Sequence, residues 1–325
     1  MSRENEKGAV LLTTLLVMSI MATVAVNIMD DVRFALKRTA NIDSYAQADW
    51  YLIGAQNYAQ SYLEDLLQKT DASALNAGLQ QADPVILPID GGTITLTVRD
   101  GSQCLSLGGL TENSGRKLFR QLLETVGWDS LSAANFTSVA ADWVDEDSQS
   151  LPGGAEDYVY LGQTPAYRTP NTAFASVGEL RALSTMTEEK FAALRPFVCA
   201  RESELTKINI DSLSLERAPI LAAVLGGIDQ MAKAQQLIAQ RPPQGYQNLE
   251  RLSASPMLSE RSLSSEDSRR LIFAPAHLWI EASVNYRQVT RHAVMEFDVS
   301  NGQLTPIFKR LGTDERRPIM LETKS

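Results

Sequence analysis

Carboxylates crowd one short stretch of the chain. Asp142-Trp143-Val144-Asp145-Glu146-Asp147-Ser148-Gln149-Ser150 is followed, after Pro152-Gly153-Gly154, by Glu156-Asp157-Tyr158. Like charges this close repel unless a cation or protons neutralise them. With Asp145 taken as the first position, Asp147 is third, Gln149 fifth and Glu156 twelfth, which partly follows the spacing of an EF-hand loop. Ser150 stands where that loop needs Gly, so a true EF-hand is not expected. A carboxylate-rich turn with flexible Gly still suits Ca²⁺, which takes about six to eight oxygens at about 2.3–2.6 Å. Two readings are open on these residues: a calcium site drawn from Asp142, Asp145, Asp147, Glu156 and Asp157, or a solvated acidic loop.

Other chemistry is poorly supplied. The chain has 325 residues but only two His and two Cys, too few for a His/Cys zinc cage. Two acids could in principle form a glycosidase pair, yet there is no nucleophile elbow, Gly-rich phosphate loop or His-based triad beside them. His277 and His292 fall in or near C-terminal strand patterns, where structural or exposed roles are expected. An enzyme is therefore not expected.

A nucleic-acid reading rests on Ile208-Asn209-Ile210-Asp211, Ala222 to Leu225, Gly226-Gly227-Ile228 and the helical pattern through Ile238, with Ser176-Val177-Gly178-Glu179-Leu180 echoing it earlier. Two short helices around Gly-Gly suggest a helix-hairpin-helix, whose amides elsewhere meet phosphates. From 207 to 241 only Lys207, Arg217, Lys233 and Arg241 are basic, against Asp211, Glu216 and Asp229. The whole chain carries 30 Lys+Arg against 39 Asp+Glu, a formal charge of -9. That balance repels a phosphate backbone, so a packing role is preferred, and a membrane-tethered DNA-uptake protein is the alternative.

The elements that position these residues begin with an uncharged apolar run from Gly8 to Met29, 22 residues long. A helix of about 20 such residues crosses a bilayer core. Arg3, Glu4, Glu6 and Lys7 precede it, so the cationic bias is weak, and the shortness of this leader points to translocation of the bulk. Cleavage as an ordinary signal peptide would need a small-x-small site, which Ala22, Ala25 and Asn27 offer only loosely. Phe34, Ala35, Ile42, Tyr45, Ala46, Leu52, Ile53, Leu63 and Leu67 then follow one side of a helical period, interrupted by Asn57 and Gln60. No Pro occurs before Pro84, so one helix from Ala9 to about Leu67 is expected, on the order of 90 Å long.

Lys7-Gly8 followed by Ala9-Val10-Leu11-Leu12-Thr13-Thr14-Leu15-Leu16 resembles the class III signal of type IV pilins and type II secretion pseudopilins. The resemblance implies cleavage by a prepilin peptidase between Gly8 and Ala9, leaving the apolar segment in the mature protein. Most members carry Glu at the fifth mature position; this chain has Thr13. A carboxylate at that depth needs a partner, and in these filaments it is thought to meet the N-terminal amine of a neighbour, which Thr13 cannot do. That departure, the chain length and the segments that follow resemble the minor pseudopilin K family of type II secretion.

After a polar linker over 71–83, Ile94-Thr95-Leu96-Thr97-Val98 reads as a strand behind a Gly91-Gly92 turn. Short helices are expected within 113–270, at 116–126, 176–183, 188–197, 218–225 and 231–239. Strands return at 279–286 and 289–299 as a hairpin, then at 304–310, before a charged tail beyond Gly312. The fold class is α+β: a pilin-like long N-terminal helix plus an antiparallel sheet, with a large inserted all-α domain. Its parts are a leader (1–8), the transmembrane part of the helix (9–29), a discontinuous pseudopilin domain (30–112 and 275–325) and the inserted helical domain (113–274).

The resemblance implies a Cys104–Cys199 bridge pinning the insert; on the residues alone, two separately buried thiols are the alternative. It also supports Ca²⁺ at the acidic segment. It implies a single-pass inner-membrane protein with its globular part in the periplasm and secreted cargo as a passing contact. The expected partners are minor pseudopilins I, J and H at the tip of the pseudopilus. Thr13 and the insert both favour first position there, because no acid neutralises a subunit ahead and the insert hinders one above.

Overall fold

A 67-residue helix, α1 (Arg3–Lys69), organises the molecule. The computed structural model describes residues 3–81, 83–202, 205–258 and 263–313, with only the backbone for 3–9. Met1 and Ser2 of the expected leader and the tail from 314 lie outside the described residues. From Val10 to Asp43 every side chain on α1 is exposed, a free stalk of about 50 Å at 1.5 Å per residue. Its apolar part is the one helix, among the described residues, long and apolar enough to cross a membrane. Threonine hydroxyls inside that part are satisfied within the helix: Thr13, Thr14 and Thr23 donate to Val10 O, Leu11 O and Ser19 O, each at 2.9 Å. That pairing lowers the cost of placing them in hydrocarbon.

The upper half of α1 lies on a five-stranded antiparallel sheet of order β1-β2-β7-β8-β9. Here β1 is Val85–Ile89, β2 Gly92–Asp100, β7 His277–Tyr286, β8 Val289–Ser300 and β9 Gln303–Leu311. Two-residue ladders, β3 (Leu105–Ser106) with β4 (Val198–Cys199) and β5 (Ile208–Asn209) with β6 (Leu271–Ile272), lie between β2 and β7. Gly91 at φ +80° makes the first hairpin turn, and Asn301 and Gly302, at φ +54° and +73°, make the last. Pro88 and Pro306 blunt the two edge strands, removing donors that another strand could pair with.

The face of α1 that meets the sheet differs from the expected stripe. Ser44, Ala48, Leu52, Ala55, Ala59 and Leu63 are buried, while Ile42, Tyr45, Ala46 and Ile53 are exposed. The reason is volume. Three alanines let the helix backbone approach the sheet closely, and the sheet supplies the bulk with Leu278, Ile280, Val284, Met295 and Phe297. Of the expected stripe, Leu52 and Leu63 are on the buried face and Leu67 packs at its edge, so apolar size alone found only part of that face. Polar clips fix the docking: Arg291 pairs with both Asp49 carboxylate oxygens at 2.7 and 3.1 Å, and Gln60 Nε2 donates to Leu304 O at 3.1 Å.

The stretch read as a linker contains a helix, α2 (Ala72–Gln80), capped by Asp71, whose Oδ1 accepts from Ala74 N at 2.8 Å. Its Leu75 is buried and Leu79 packs against the sheet core. Residues 101–276 then leave from β2 and return at β7, neighbouring strands joined at the root by Gly101 N donating to His277 O at 2.9 Å. Within them lie α3 (Asn113–Thr125), α4 (Ser130–Val144), α5 (Asp157–Tyr160), α6 (Glu188–Leu194), α7 (Ala218–Val224), α8 (Met231–Ala239), α9 (Leu249–Ser253) and α10 (Ser265–Arg270). This insert has its own core around Phe119, Phe136, Trp143, Tyr160, Phe191 and Leu221, separate from the core under the sheet. Two cores from one chain are what a helical domain set into an α+β domain requires.

The seam between them is polar. Asn209 Nδ2 donates to Asp100 Oδ2 at 2.6 Å and to Asn76 Oδ1 at 2.8 Å, and Asn76 Nδ2 donates to Phe273 O at 2.9 Å. Ser212 Oγ also donates to Asp100 Oδ2. One buried network thus joins α2, β2 and the insert. A disulfide closes the same region: Cys104 and Cys199 are bonded, with Cα atoms 5.7 Å apart.

Candidate metal centre

The acidic segment sits where α4 ends. Asp129 caps the start of α4, its Oδ1 accepting from Ser132 N at 2.9 Å, and Asp145 is the residue at its C-terminal cap. Asp142 is still inside the helix and fully buried. Its carboxylate holds the following loop, accepting from Ser150 Oγ at 3.0 Å and Leu151 N at 3.1 Å. Gly154 is required there, because a Cβ would collide with Asp142 Oδ2. This anchor folds the loop back and brings Glu156 beneath the end of α4.

Asp145, Asp147 and Glu156 meet: one carboxylate oxygen from each lies within 4.8 Å of the others. Asp142 and Asp157, named with them from the sequence, do not join this trio. Asp142 is the loop anchor just described. Asp157 faces the other way, accepting from Thr169 N and Oγ1, both at 2.9 Å, and from Arg168 Nη1 at 3.0 Å. Those bonds, the Thr169 hydroxyl first, hold its carboxyl below the usual range. The neighbouring acids differ in sign. Burial, then Asp147 and Asp142, raises Asp145 to about 6, and burial, then Asp142, Asp145 and Asp147, raises Glu156 to about 7.

The trio fits a cation by two further observations. Asp145 Oδ1 and Glu156 Oε1 are buried acceptors with no hydrogen-bond partner among the described residues, and Glu156 is only 2% exposed. Buried anionic oxygens without donors are costly unless neutralised. The donors are all hard oxygens, which favours Ca²⁺ or a similar ion over zinc. Sequence reasoning missed Asn171, whose Oδ1 is likewise buried without a partner while its Nδ2 donates to Asp147 O at 3.2 Å. The only hint was an Asn after Pro in a turn-rich stretch.

The other chemical candidates resolve into packing. Gly226 and Gly227 do form a hairpin, at φ +122° and +109°, between α7 and the helical turn before α8. Their amides are consumed inside it, Gly226 N by Ala223 O at 3.2 Å and Gly227 N by Ala222 O at 2.8 Å, so they cannot meet a phosphate. Asp211 closes the next turn by accepting from Tyr246 N at 2.6 Å and Gln247 N at 2.8 Å. The DNA reading loses its structural basis. His277 is buried at the start of β7 and His292 exposed on β8, well apart on their shared ladder. Gly8 and Ala9 lie within the helical backbone of α1.

Comparison with known proteins agrees with the fold. Residues 103–203 and 208–271, together half of the chain, match two family models, both described as type II secretion system (T2SS), protein K. Type II secretion system protein K of Pectobacterium carotovorum subsp. carotovorum is 29% identical over 88% of this chain and 89% of its own length. The proteins of that name from Klebsiella pneumoniae and Aeromonas hydrophila are 30% and 31% identical, over 78% and 75% of this chain and 81% and 78% of their own lengths. The fold is similar to a chain in the crystal structure of the GspK-GspI-GspJ complex from the enterotoxigenic Escherichia coli type 2 secretion system. The TM-score is 0.71 at 21% identity, over 85% of this chain and 99% of that one. Fold, matched segments and full-length relatives agree: the chain belongs to the type II secretion system protein K family.

Proposed function

We propose that this chain is the minor pseudopilin at the tip of a type II secretion pseudopilus, anchored in the inner membrane with its globular part in the periplasm. In this reading a prepilin peptidase cuts between Gly8 and Ala9, and the mature protein assembles with minor pseudopilins I and J, with H joining them below. It supports export of folded cargo as a structural subunit and carries no catalytic role. The acidic trio holds Ca²⁺ and stabilises the insert.

The observation that carries the reading is the uncommitted flank of α1. Ile42, Ala46, Trp50 and Ile53 recur at helical spacing beside the sheet-facing stripe, all exposed, with Trp50 at 68%. A helix with a second apolar flank is built to pack against other helices. The complex named among the similar structures contains chains I and J beside its K chain, which supports those partners. The insert of 101–276 is far larger than the sheet domain's own loops and hinders a further subunit above, while Thr13 offers no carboxylate to a subunit ahead. Intact mass of the membrane form tests the processing step. Loss of residues 1–8 alone is expected, and a mature chain beginning beyond Met29 would contradict the anchor.

A further inference from the structure

We infer, on the membrane-anchor reading above, that Arg33, Lys37 and Arg38 form a site for the phosphate headgroups of anionic phospholipids in the leaflet from which α1 emerges. Just past the apolar run, the exposed helix has two distinct sides. Arg33 and Lys37 lie about three helical turns below Ser44 and Ala48, which are buried against the sheet. Arg38 lies about four turns below Leu52, also buried. The three cations therefore project on the sheet side of α1, with Phe34, 71% exposed, among them. Basic residues around an exposed aromatic are what an interfacial segment carries. Val32 and Ala35 lie about five turns below Trp50 and Ile53 and continue the flank offered to sister helices. A sister helix seated on that flank leaves the basic side to lipid.

Height and side-chain direction match the headgroups. The headgroup layer adds about 5–8 Å to each side of the hydrocarbon. At about 1.5 Å per residue, Arg33 is about 6 Å above Met29, and Lys37 and Arg38 are about 12–14 Å above it. Side chains of a helix lean toward its N-terminus, which here is the membrane end, so the two higher cations reach back down to the phosphates. All three are exposed. Ser44, the first buried residue beyond Met29, is about 22 Å above it, so nothing among the described residues covers them. Asp30 and Asp31 lie lower, at the hydrocarbon edge. Asp30 Oδ1 is 3.9 Å from Arg33 Nη1, and with side chains 67% and 70% exposed that pair is weak. The vertical order of charges selects the lipid. In a zwitterionic headgroup the ammonium lies outside the phosphate and meets the three cations, while the phosphate meets the aspartates. Phosphatidylglycerol has no ammonium, so its phosphate is free to pair with the cations, as basic juxtamembrane residues attract anionic lipid.

The test uses the full chain reconstituted into vesicles of equal parts phosphatidylglycerol and phosphatidylcholine, released in mild detergent and weighed by native mass spectrometry. Wild type is expected to retain phosphatidylglycerol over phosphatidylcholine, and the excess should fall as salt rises. Arg33→Ala, Lys37→Ala and Arg38→Ala should each cut that excess, by up to about fivefold per cation. The triple variant should retain both lipids equally. Arg33→Lys keeps the charge and should keep the preference, and Lys69→Ala, which removes an exposed cation at the far end of α1, should change nothing. Equal retention of the two lipids by wild type, or a preference that survives in the triple variant, would overturn the lipid assignment. Efficient disulfide crosslinks in intact cells from Lys37→Cys to the long helices of the I and J subunits would also overturn it, making the basic side a subunit contact. A wild type that does not enter vesicles at all would instead overturn the anchor reading.

Discussion

Arg201 of the insert and Glu296 of β8 form a buried ion pair: Arg201 Nε and Nη2 both donate to Glu296 Oε1, the former at 2.7 Å. Their side chains are 4% and 0% exposed. Arg201 Nη2 also donates to Gly101 O at 2.6 Å, at the point where the insert leaves the sheet. The pair is a weld between the two parts of the molecule, and its geometry is bidentate on a single oxygen.

Removing one partner strands the other charge in the interior. Glu296→Leu is expected to cost about 3–5 kcal/mol in chemical denaturation. The double variant Arg201→Met/Glu296→Leu should cost less than Glu296→Leu alone. A double variant as unstable as the sum of the single ones would mean the two residues act separately.

The Cys104–Cys199 bridge closes a 95-residue separation across the same root. Cross-linking so long a loop restricts the unfolded chain by roughly 4–5 kcal/mol in the entropy model. Replacing both Cys by Ala should lower the unfolding free energy by an amount of that order and leave the α1 docking intact. An unchanged denaturation midpoint in reducing and non-reducing buffer would show that the bridge adds nothing.

His277 gives a pH dependence. Burial first, then Arg201 and Lys207, lowers it from 6.5 to about 3, while Asp298 Oδ1 lies 3.6 Å from its Nδ1 as the nearby opposite charge. The unfolded chain therefore takes up a proton that the folded chain refuses. Its contribution is lost as pH falls from about 6.5 towards 3. Denaturation midpoints in calcium-free buffer at neutral pH and near pH 5 should differ less in His277→Gln than in wild type.

The acidic trio carries the opposite sign. Asp145 at about 6 and Glu156 at about 7 must lose their protons before a cation binds, so affinity should fall as pH drops through those values. Without the ion, the same ionisations cost stability as pH rises from the ordinary carboxylate values. Calorimetric titration at several pH values checks this, and Glu156→Gln should flatten the dependence near 7. A pH-independent affinity would place the ion elsewhere.

Much of this architecture is legible in the chain itself because its signals are long or periodic. The apolar run to Met29, the alternation of Ile94 to Val98 and the Gly91-Gly92 turn each specify one local structure. What sequence could not reveal depends on partners distant in the chain. The face of α1 is chosen by the fit of Ala48, Ala55 and Ala59 to a sheet whose central strands β7 and β8 lie more than 200 residues away, and α2 is held by that sheet and by the insert. Among the acids, spacing located the loop but not the division of labour. Asp142 became an anchor because Gly154 lets the backbone close on it, and Asp157 was captured by Thr169 and Arg168. Asn171 was invisible because it lies 24 residues beyond its Asp147 contact.

The central claim is that the exposed flank of α1 packs against sister pseudopilins. Both native Cys are consumed in the bridge, so a single introduced Cys reports cleanly. Disulfide crosslinking in intact cells, with Cys placed at Ile42 or Ile53 and scanned along the long helices of the I and J subunits, measures the contact directly. Efficient bonds from Ile42→Cys and Ile53→Cys, with none from the sheet-covered Ala55→Cys, are the predicted result. No crosslink from the flank, or equal bonding from every position including Ala55, would contradict it.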